Sequence, residues 1–216
     1  MLDHAGVNKL SNILQGKSIE STGAPLETAR NYLAKSFETS TKIEKDFGRF
    51  SIIKKEQEEY LTLLANQHSW WVNFEKIPCS FISEGGESKV YLSNEGRFVF
   101  KINDAVYYNT WLDFLNGICL HNLFFPETAY NLIGFEKYEN SFFAVLKQPY
   151  IISDSNTDLD LLKRFMEHNS FKLQKNYDYY SIKYGLFIED LHDENVLTHN
   201  GIFFFIDTVF LIHQNK

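Results

Sequence analysis

The sequence predicts an α+β fold, with a helical N-terminal part followed by a part built mainly of strands. Between about residues 25 and 71, the apolar side chains Leu33, Phe37 and Ile43 recur near the helical period. After Pro78 the pattern changes to short apolar runs separated by turn residues, which is typical of strands and hairpins. A polar loop rich in carboxylates, residues 188–197, then lies between two apolar runs. The sequence therefore predicts a mixed domain with one chemically specialised loop.

The segment after Pro78 predicts strands in a fixed order with one helix among them. We expect a Gly-rich turn, a strand around residues 90–92, a turn at 94–96 and a strand over 97–102. Residues 107–125 have the apolar spacing of a largely buried helix. Two further strands, within 128–138 and 141–152, are separated by the polar pair Glu139 and Asn140.

The remaining segments predict a capped helix and a group of short strands. Residues 153–169 begin with Ser, Asp and Asn and carry an apolar stripe, as a helix with a polar N-cap does. Residues 171–188 alternate and are rich in tyrosine, which favours strands. Asn200 and Gly201 predict a hairpin turn, followed by a strand that ends at Asp207. Residues 1–22 are polar and weakly patterned, and we expect a loosely attached arm.

Composition narrows the classes of function. The formal net charge is -7, so a general nucleic-acid partner or an anionic membrane surface is disfavoured, because both attract positive charge. Cys79 and Cys119 lack metal-ligand spacing and fit two buried thiols in a reducing compartment. The N-terminus has no apolar core of signal-peptide length, and no stretch approaches a membrane span. We therefore expect a cytoplasmic protein.

Three polar residues near strand ends indicate phosphoryl-transfer chemistry. Asp190 follows an apolar run, Asn195 lies five residues later, and Asp207 ends the next strand. Such an arrangement offers one carboxylate to orient an attacking hydroxyl, and oxygen ligands to hold Mg²⁺ against nucleotide phosphates. The sequence therefore predicts that these three residues form one phosphoryl-transfer site.

The run "EDLHDENVL" resembles the catalytic loop of protein kinases, with Asp190 and Asn195 at the base and metal positions. "FFFID" is similar to the strand and Asp-Phe-Gly element that supplies a second metal ligand in that family, which implies Asp207 as a metal ligand, although Thr208 and Val209 replace Phe and Gly. His192 stands where a phosphate-contacting lysine often occurs, and either a phosphate contact or a structural role in the loop is open.

Upstream segments extend the resemblance. "SEGGESKV" is similar to the glycine-rich phosphate loop, and "FVFKI" to the strand with the phosphate-contacting lysine, here Lys101. Asp113 on the following helix is the expected carboxylate partner of Lys101. "AVLKQPYII" takes the place of the hinge that meets adenine. The nucleotide-binding residues that this resemblance implies are Ser83, Gly85, Gly86, Ser88, Val90, Lys101, Gln148 and Tyr150.

The departures favour one particular family. Only nine residues follow Asp207, so we expect no standard activation segment and no large helical lobe. The motif set most resembles the small kinase-like domain of polyvalent proteins of bacterial phages and conjugative elements. The resemblance implies a protein-kinase-like two-lobed fold: a helical N-terminal extension over 1–75, a small nucleotide-binding lobe over 76–151, and a reduced C-terminal lobe over 152–216.

The implied activity is transfer of the γ-phosphoryl group of ATP, with Mg²⁺, to a hydroxyl acceptor that we expect on a protein. Two alternatives stay open. A pseudokinase or nucleotide-binding interaction module is favoured by the missing outer glycines and by the altered residues after Asp207. A small-molecule kinase resembling aminoglycoside phosphotransferases is the other, although Glu189 stands where those enzymes usually have His-Gly.

Overall fold

The computed structural model describes residues 2–37, 47–86 and 88–213. Over these residues the chain forms five α-helices and eleven strands, so the predicted α+β class is confirmed. The helices are α1 (His4–Leu14), α2 (Pro25–Phe37), α3 (Phe47–His68), α4 (Trp111–Phe124) and α5 (Leu159–His168). Ile43, which contributed to the predicted helical pattern, lies outside the described residues.

The first five strands form one antiparallel sheet in the order β1-β2-β3-β5-β4. Helix α4 lies between β3 and β4 in the chain and supplies much of the apolar core beneath the sheet. Two tight turns, Asn94–Gly96 and Glu139–Asn140, join neighbouring strands as predicted, with positive φ at Gly96, Glu139 and Asn140. The strands are β1 (Cys79–Glu84), β2 (Ser88–Ser93), β3 (Phe98–Asn103), β4 (Asn131–Tyr138) and β5 (Ser141–Pro149).

The remaining strands form two smaller antiparallel sheets. One has the order β11-β8-β7-β6, and the other is the hairpin of β9 and β10 closed by Asn200 and Gly201. Strand β11 was not predicted, since four residues directly after Asp207 give too short a pattern to read. The strands are β6 (Lys172–Lys175), β7 (Asp178–Ser181), β8 (Leu186–Glu189), β9 (Val196–His199), β10 (Ile202–Phe205) and β11 (Val209–Ile212).

The predicted loose arm at residues 1–22 is wrong, because residues 4–14 form a helix that packs on the core. The Asp3 side chain caps α1 by accepting a hydrogen bond from Gly6 N at 2.7 Å. Leu10, Ile13 and the following Ile19 are buried in the main core. The helix escaped prediction because its few apolar residues are interspersed with polar ones over only eleven residues.

Helix α4 is enclosed by the N-terminal helices, since α1, α2 and α3 all contact it. Arg30 of α2 is completely buried and donates from Nε to Asn116 Oδ1 on α4 at 2.8 Å. Its Nη1 atom donates to the carbonyl oxygen of Lys17. None of the helices among the described residues combines the length and apolar character that a membrane span requires.

Candidate active site

One cavity of about 890 Å³ collects all the predicted site residues. It lies where the turn between β1 and β2, the end of β5 and the loops around β8 to β11 come together. Its lining includes every residue predicted for catalysis, nucleotide or metal: Ser83, Gly85, Gly86, Ser88, Val90, Lys101, Gln148, Tyr150, Asp190, Asn195 and Asp207. The lining also includes residues that the sequence analysis did not select, among them Tyr107, Asn176, Asp178 and Thr208.

Lys101 is the buried cation of this cavity, with only 5% of its surface exposed. Strand β3 carries Lys101 between apolar neighbours, and the lysine side chain extends from the five-stranded sheet into the cavity. Its Nζ atom lies 3.4 Å from Asp207 Oδ1 and donates to the carbonyl oxygen of Ile206 at 2.8 Å. It also donates to the Tyr130 hydroxyl at 3.2 Å. A buried ammonium group requires such acceptors, because burial without them is costly.

The expected pairing of Lys101 with Asp113 is wrong. Asp113 lies in the first turn of α4, where its Oδ2 atom accepts a hydrogen bond from the Thr110 hydroxyl at 2.7 Å. Thr110 in turn caps the helix by accepting from Asp113 N at 3.1 Å. Burial raises the pKa of Asp113, and the two Thr110 hydrogen bonds oppose that rise. Asp113 therefore stabilises the N-terminus of α4 together with Thr110, and Asp207 is the carboxylate beside Lys101.

The loop after β8 holds Asp190 and Asn195 against each other. Asn195 Nδ2 donates to the Asp190 carbonyl oxygen at 2.9 Å and to its Oδ2 atom at 3.1 Å. Both amide hydrogens are then directed at Asp190, so the Asn195 Oδ1 atom is the group left for a cation. The backbone of the next strand is joined to the same residue, because Ile206 N donates to Asn195 O at 2.9 Å.

His192 is part of this loop network. Its Nδ1 atom accepts from Glu194 N at 3.2 Å, so the proton of a neutral ring is on Nε2. Nε2 lies 3.3 Å from Asp190 Oδ1. Of the two roles considered for His192, these contacts account directly for the structural one, since they fix the orientation of the Asp190 carboxylate.

Asp190 has a backbone conformation that L-residues rarely adopt, with φ of 67°. Its N–H group donates to Asp178 Oδ1 on β7 at 3.1 Å, and Leu191 N donates to Tyr177 O at 3.1 Å. The hairpin of β6 and β7 thus stabilises the strained backbone at Asp190 through these two hydrogen bonds. Burial raises the pKa of the adjacent Glu189, and the charges of Asp178 and Asp190 add to that rise.

The glycine-containing turn closes tightly over the opposite side of the cavity. Gly85 N donates to Ser88 O at 2.9 Å, and the Ser88 hydroxyl accepts from Asn103 Nδ2 at 2.8 Å. A Cβ atom on Gly86 would lie 2.0 Å from the Tyr107 hydroxyl. Glycine at this position therefore allows the exposed Tyr107 ring to approach the turn backbone.

Gln148 and Tyr150 line the cavity on either side of Pro149. Gln148 Nε2 donates to the carbonyl oxygen of Thr128 at 2.8 Å, while its Oε1 atom is buried with no hydrogen-bond partner among the described residues. Tyr150 N donates to Arg97 O at 3.0 Å, so this N–H group is committed to the sheet. An orphaned buried acceptor is costly, and such atoms commonly mark places where another group binds.

The segment 205–208 is anchored by buried polar groups that sequence reasoning missed. The Tyr130 hydroxyl donates to Ile206 O at 2.8 Å, and the Thr128 hydroxyl donates to Phe205 O at 2.5 Å. His121 Nδ1 lies 2.8 Å from the Thr208 hydroxyl oxygen. These partners are separated from Asp207 by about 80 residues along the chain, and no local pattern connects them.

The site thus joins a buried lysine, two carboxylates and an amide in one cavity, as a phosphotransferase requires. Comparison with known proteins gives the class as a kinase. The family model for the serine/threonine/tyrosine kinase found in polyvalent proteins matches residues 54–214. Since the match covers well over half of the chain, the protein belongs to this family, as the sequence motifs predicted. No curated protein and no solved structure matches the chain.

Proposed function

We propose that the protein transfers the γ-phosphoryl group of ATP to a hydroxyl acceptor. The observation that carries this proposal is that Lys101, Asp190, Asn195 and Asp207 line a single cavity beneath a glycine-containing turn. Phosphoryl transfer depends mainly on positioning and on electrostatic stabilisation of the phosphate oxygens. A cavity that combines a buried cation with fixed oxygen ligands supplies both.

The roles follow from the contacts. Asp190 orients the acceptor hydroxyl, because its carboxylate is held by Asn195 and His192 at the edge of the cavity. Lys101, on strand β3, binds the phosphates. Asn195 and Asp207 hold Mg²⁺, which is usually bound by one or two carboxylates together with substrate phosphates. When bound, the ion neutralises charge on the transferred phosphoryl group.

An adenine base fits the part of the cavity lined by Gln148 and Tyr150. The orphaned Gln148 Oε1 atom is an acceptor that the exocyclic amino group of adenine would satisfy after a small side-chain adjustment. Pro149 has no N–H group and that of Tyr150 is committed to Arg97, so Ile151, the next residue in the cavity lining, would donate its N–H group to a ring nitrogen.

A protein-kinase-like two-lobed arrangement accompanies this function. In it, residues 76–151 form the nucleotide-binding lobe and residues 152–216 a reduced second lobe, with residues 1–75 as the helical extension. Support comes from the five-stranded sheet of β1 to β5, which ends at Pro149, and from the separate sheets formed by β6 to β11. Under this arrangement the cavity is the cleft between the lobes.

The acceptor is a hydroxyl group on a protein. The carboxylates of Asp178, Glu189 and Glu194 line the cavity around Asp190, so an acceptor segment with positive charge is favoured. The same charges would also suit a cationic hydroxylated small molecule, and this is the observation that favours the second candidate, a small-molecule kinase.

Transfer of radiolabelled γ-phosphate by the purified full chain tests the proposal. The acceptors are the chain itself, a basic protein mixture and a panel of aminoglycosides, each with Mg²⁺ or with a chelator. We expect Mg²⁺-dependent transfer, and a loss of about 10²- to 10⁴-fold for Asp190→Asn, the range for positioned proton-transfer groups. Asp193→Asn is the matched control, because Asp193 is in the same loop but does not line the cavity.

Equal activity of Asp190→Asn and wild type would contradict the assigned role of Asp190. Wild-type protein that binds nucleotide without transferring phosphate to any acceptor would favour the nucleotide-binding interaction module. Transfer to aminoglycosides alone would favour the small-molecule kinase.

A further inference from the structure

His121 is a fully buried histidine that neither the sequence motifs nor the proposed reaction uses. It lies near the end of α4, and its two ring nitrogens have different partners. Nε2 lies 3.1 Å from the carbonyl oxygen of Thr128, and Nδ1 lies 2.8 Å from the Thr208 hydroxyl oxygen. A carbonyl oxygen can only accept, so Nε2 carries the proton and Nδ1 accepts from Thr208.

The ring is neutral as well as fixed in its tautomer. Burial lowers the pKa of His121 to about 3, and the positive charge of Lys101 contributes to that lowering. The Thr208 hydroxyl therefore always meets an acceptor at Nδ1 in the folded protein at neutral pH. This contact joins α4 to the residue that directly follows Asp207.

Asp207 is consequently held from both of its peptide neighbours. On the preceding side, the Ile206 carbonyl oxygen accepts from Lys101 and from the Tyr130 hydroxyl. On the following side, the Thr208 side chain donates to His121. The hydroxyl of Thr208 is the side-chain tether on that side, and its removal would free one end of the Asp207 backbone.

We propose that His121 is a positioning residue for Asp207, acting through the Thr208 hydroxyl so that the Asp207 carboxylate faces the bound Mg²⁺. The inference rests on the proposed function, since it concerns the metal that accompanies the nucleotide. Groups that orient a metal ligand commonly contribute to metal affinity. Their removal typically weakens metal binding by about 10- to 100-fold.

If His121 acted only by packing, a ring without nitrogens at position 121 would leave Mg²⁺ binding unchanged. The His121 ring contacts the rings of Tyr130 and Phe125, with centroids 4.6 and 5.5 Å apart. A phenylalanine at position 121 would keep ring contacts of this kind while removing both nitrogens. His121→Phe therefore separates ring packing from the hydrogen bond to Thr208.

The test uses the full chain and the variants Thr208→Val, His121→Phe and the double variant. Two affinities are measured by titration calorimetry: that of Mg²⁺ at saturating ATP, and that of ATP in the presence of a chelator. Thermal unfolding is followed for each protein. Thr208→Val preserves the shape of the side chain and removes only the hydroxyl, so it is the variant best suited to keep the fold.

We expect Thr208→Val to weaken Mg²⁺ binding by about 10- to 100-fold while the affinity for metal-free ATP stays within about twofold of wild type. The double variant should bind Mg²⁺ no more weakly than the weaker-binding of the two single variants, because both single changes remove the same hydrogen bond between His121 and Thr208. Thr208→Ser, which keeps the hydroxyl, should restore Mg²⁺ binding. Ser181→Ala is the control for loss of a buried hydroxyl elsewhere, since Ser181 does not line the cavity.

Three results would overturn the inference, and they are distinguishable. Wild-type Mg²⁺ affinity in Thr208→Val would show that the tether does not position Asp207, and the proposed phosphotransferase would stand. Failure of the wild type itself to bind Mg²⁺ with ATP would refute the proposed function and the inference with it. Additive losses in the double variant would likewise exclude action through one contact.

Discussion

At the scale of single residues, the site is organised by buried polar groups that satisfy one another. Lys101, Tyr130 and Thr128 reach the segment 205–208 from different elements, and their hydrogen bonds fix the backbone before any ligand enters. Preorganised donors and charges are the main source of electrostatic stabilisation in enzymes, because they need not reorient during the reaction. Asp207 owes its placement to this network.

The depressed pKa of His121 predicts a specific dependence of stability on pH. The pKa of His121 is about 3 in the folded protein and near 6.5 in the unfolded chain, so below pH 6.5 the unfolded chain takes up a proton that the folded protein does not. The stabilisation of the folded state by neutral His121 is therefore fully present above pH 6.5 and is lost as the pH falls towards 3. The advantage of wild type over His121→Phe should therefore shrink by about 2 to 3 kcal/mol between pH 7 and pH 4.5. Urea unfolding at several pH values measures it, and a constant difference would contradict the prediction.

At the scale of elements, the edge of β4 accepts the segment that follows α3. Val72 N donates to Phe135 O at 2.8 Å, and Phe135 N donates to Trp70 O at 2.9 Å. The approach is possible because residue 134 is glycine: a Cβ atom there would lie 2.1 Å from Trp70 O. This pairing attaches the N-terminal helices to the five-stranded sheet.

Gly134→Ala should therefore lower the free energy of unfolding by about 1 to 3 kcal/mol, the usual cost of overpacking. The added Cβ atom would meet the backbone of Trp70, which cannot move aside as a side chain can. Gly86→Ala is the matched comparison. Its added Cβ would meet the Tyr107 hydroxyl, but Tyr107 is 62% exposed and can turn away. Denaturant unfolding should show a clear loss for Gly134→Ala and little for Gly86→Ala, and equal losses would be evidence against this reading.

Local patterns predicted most elements, and long-range contacts account for what they missed. Asp190, Asn195 and the Asn200–Gly201 turn are close in sequence, so spacing alone indicated their arrangement. The partner of Lys101 was assigned wrongly to Asp113, because the helix cap formed with Thr110 and the fold that brings Asp207 to Lys101 are not visible in spacing. The tether from His121 to Thr208 escaped prediction for the same reason.

At the scale of the whole molecule, the helices before residue 54 lie outside the family match yet pack on α4. Leu10, Ile13, Ala29 and Leu33 belong to the same core cluster as α4. The N-terminal helices therefore complete the core around α4, while His121 connects α4 to Thr208, the residue after Asp207.

Deletion of residues 1–46 should accordingly expose apolar surface of α4 and reduce stability. We expect the remaining chain to bind a hydrophobic dye and to unfold at lower denaturant concentration than the full chain, because buried apolar area is lost. A fragment as stable as the full chain, with no dye binding, would show that the extension is dispensable for the core.

The most direct test of the central claim is calorimetric titration of ATP with and without Mg²⁺ into wild type, Lys101→Met, Asp207→Asn and the control Lys89→Met. Lys89 is an exposed lysine that does not line the cavity. We expect Mg²⁺-enhanced binding by wild type and Lys89→Met, weak binding by Lys101→Met, and loss of the Mg²⁺ enhancement in Asp207→Asn. Absence of ATP binding by wild type, or equal Mg²⁺ enhancement in Asp207→Asn, would contradict this expectation.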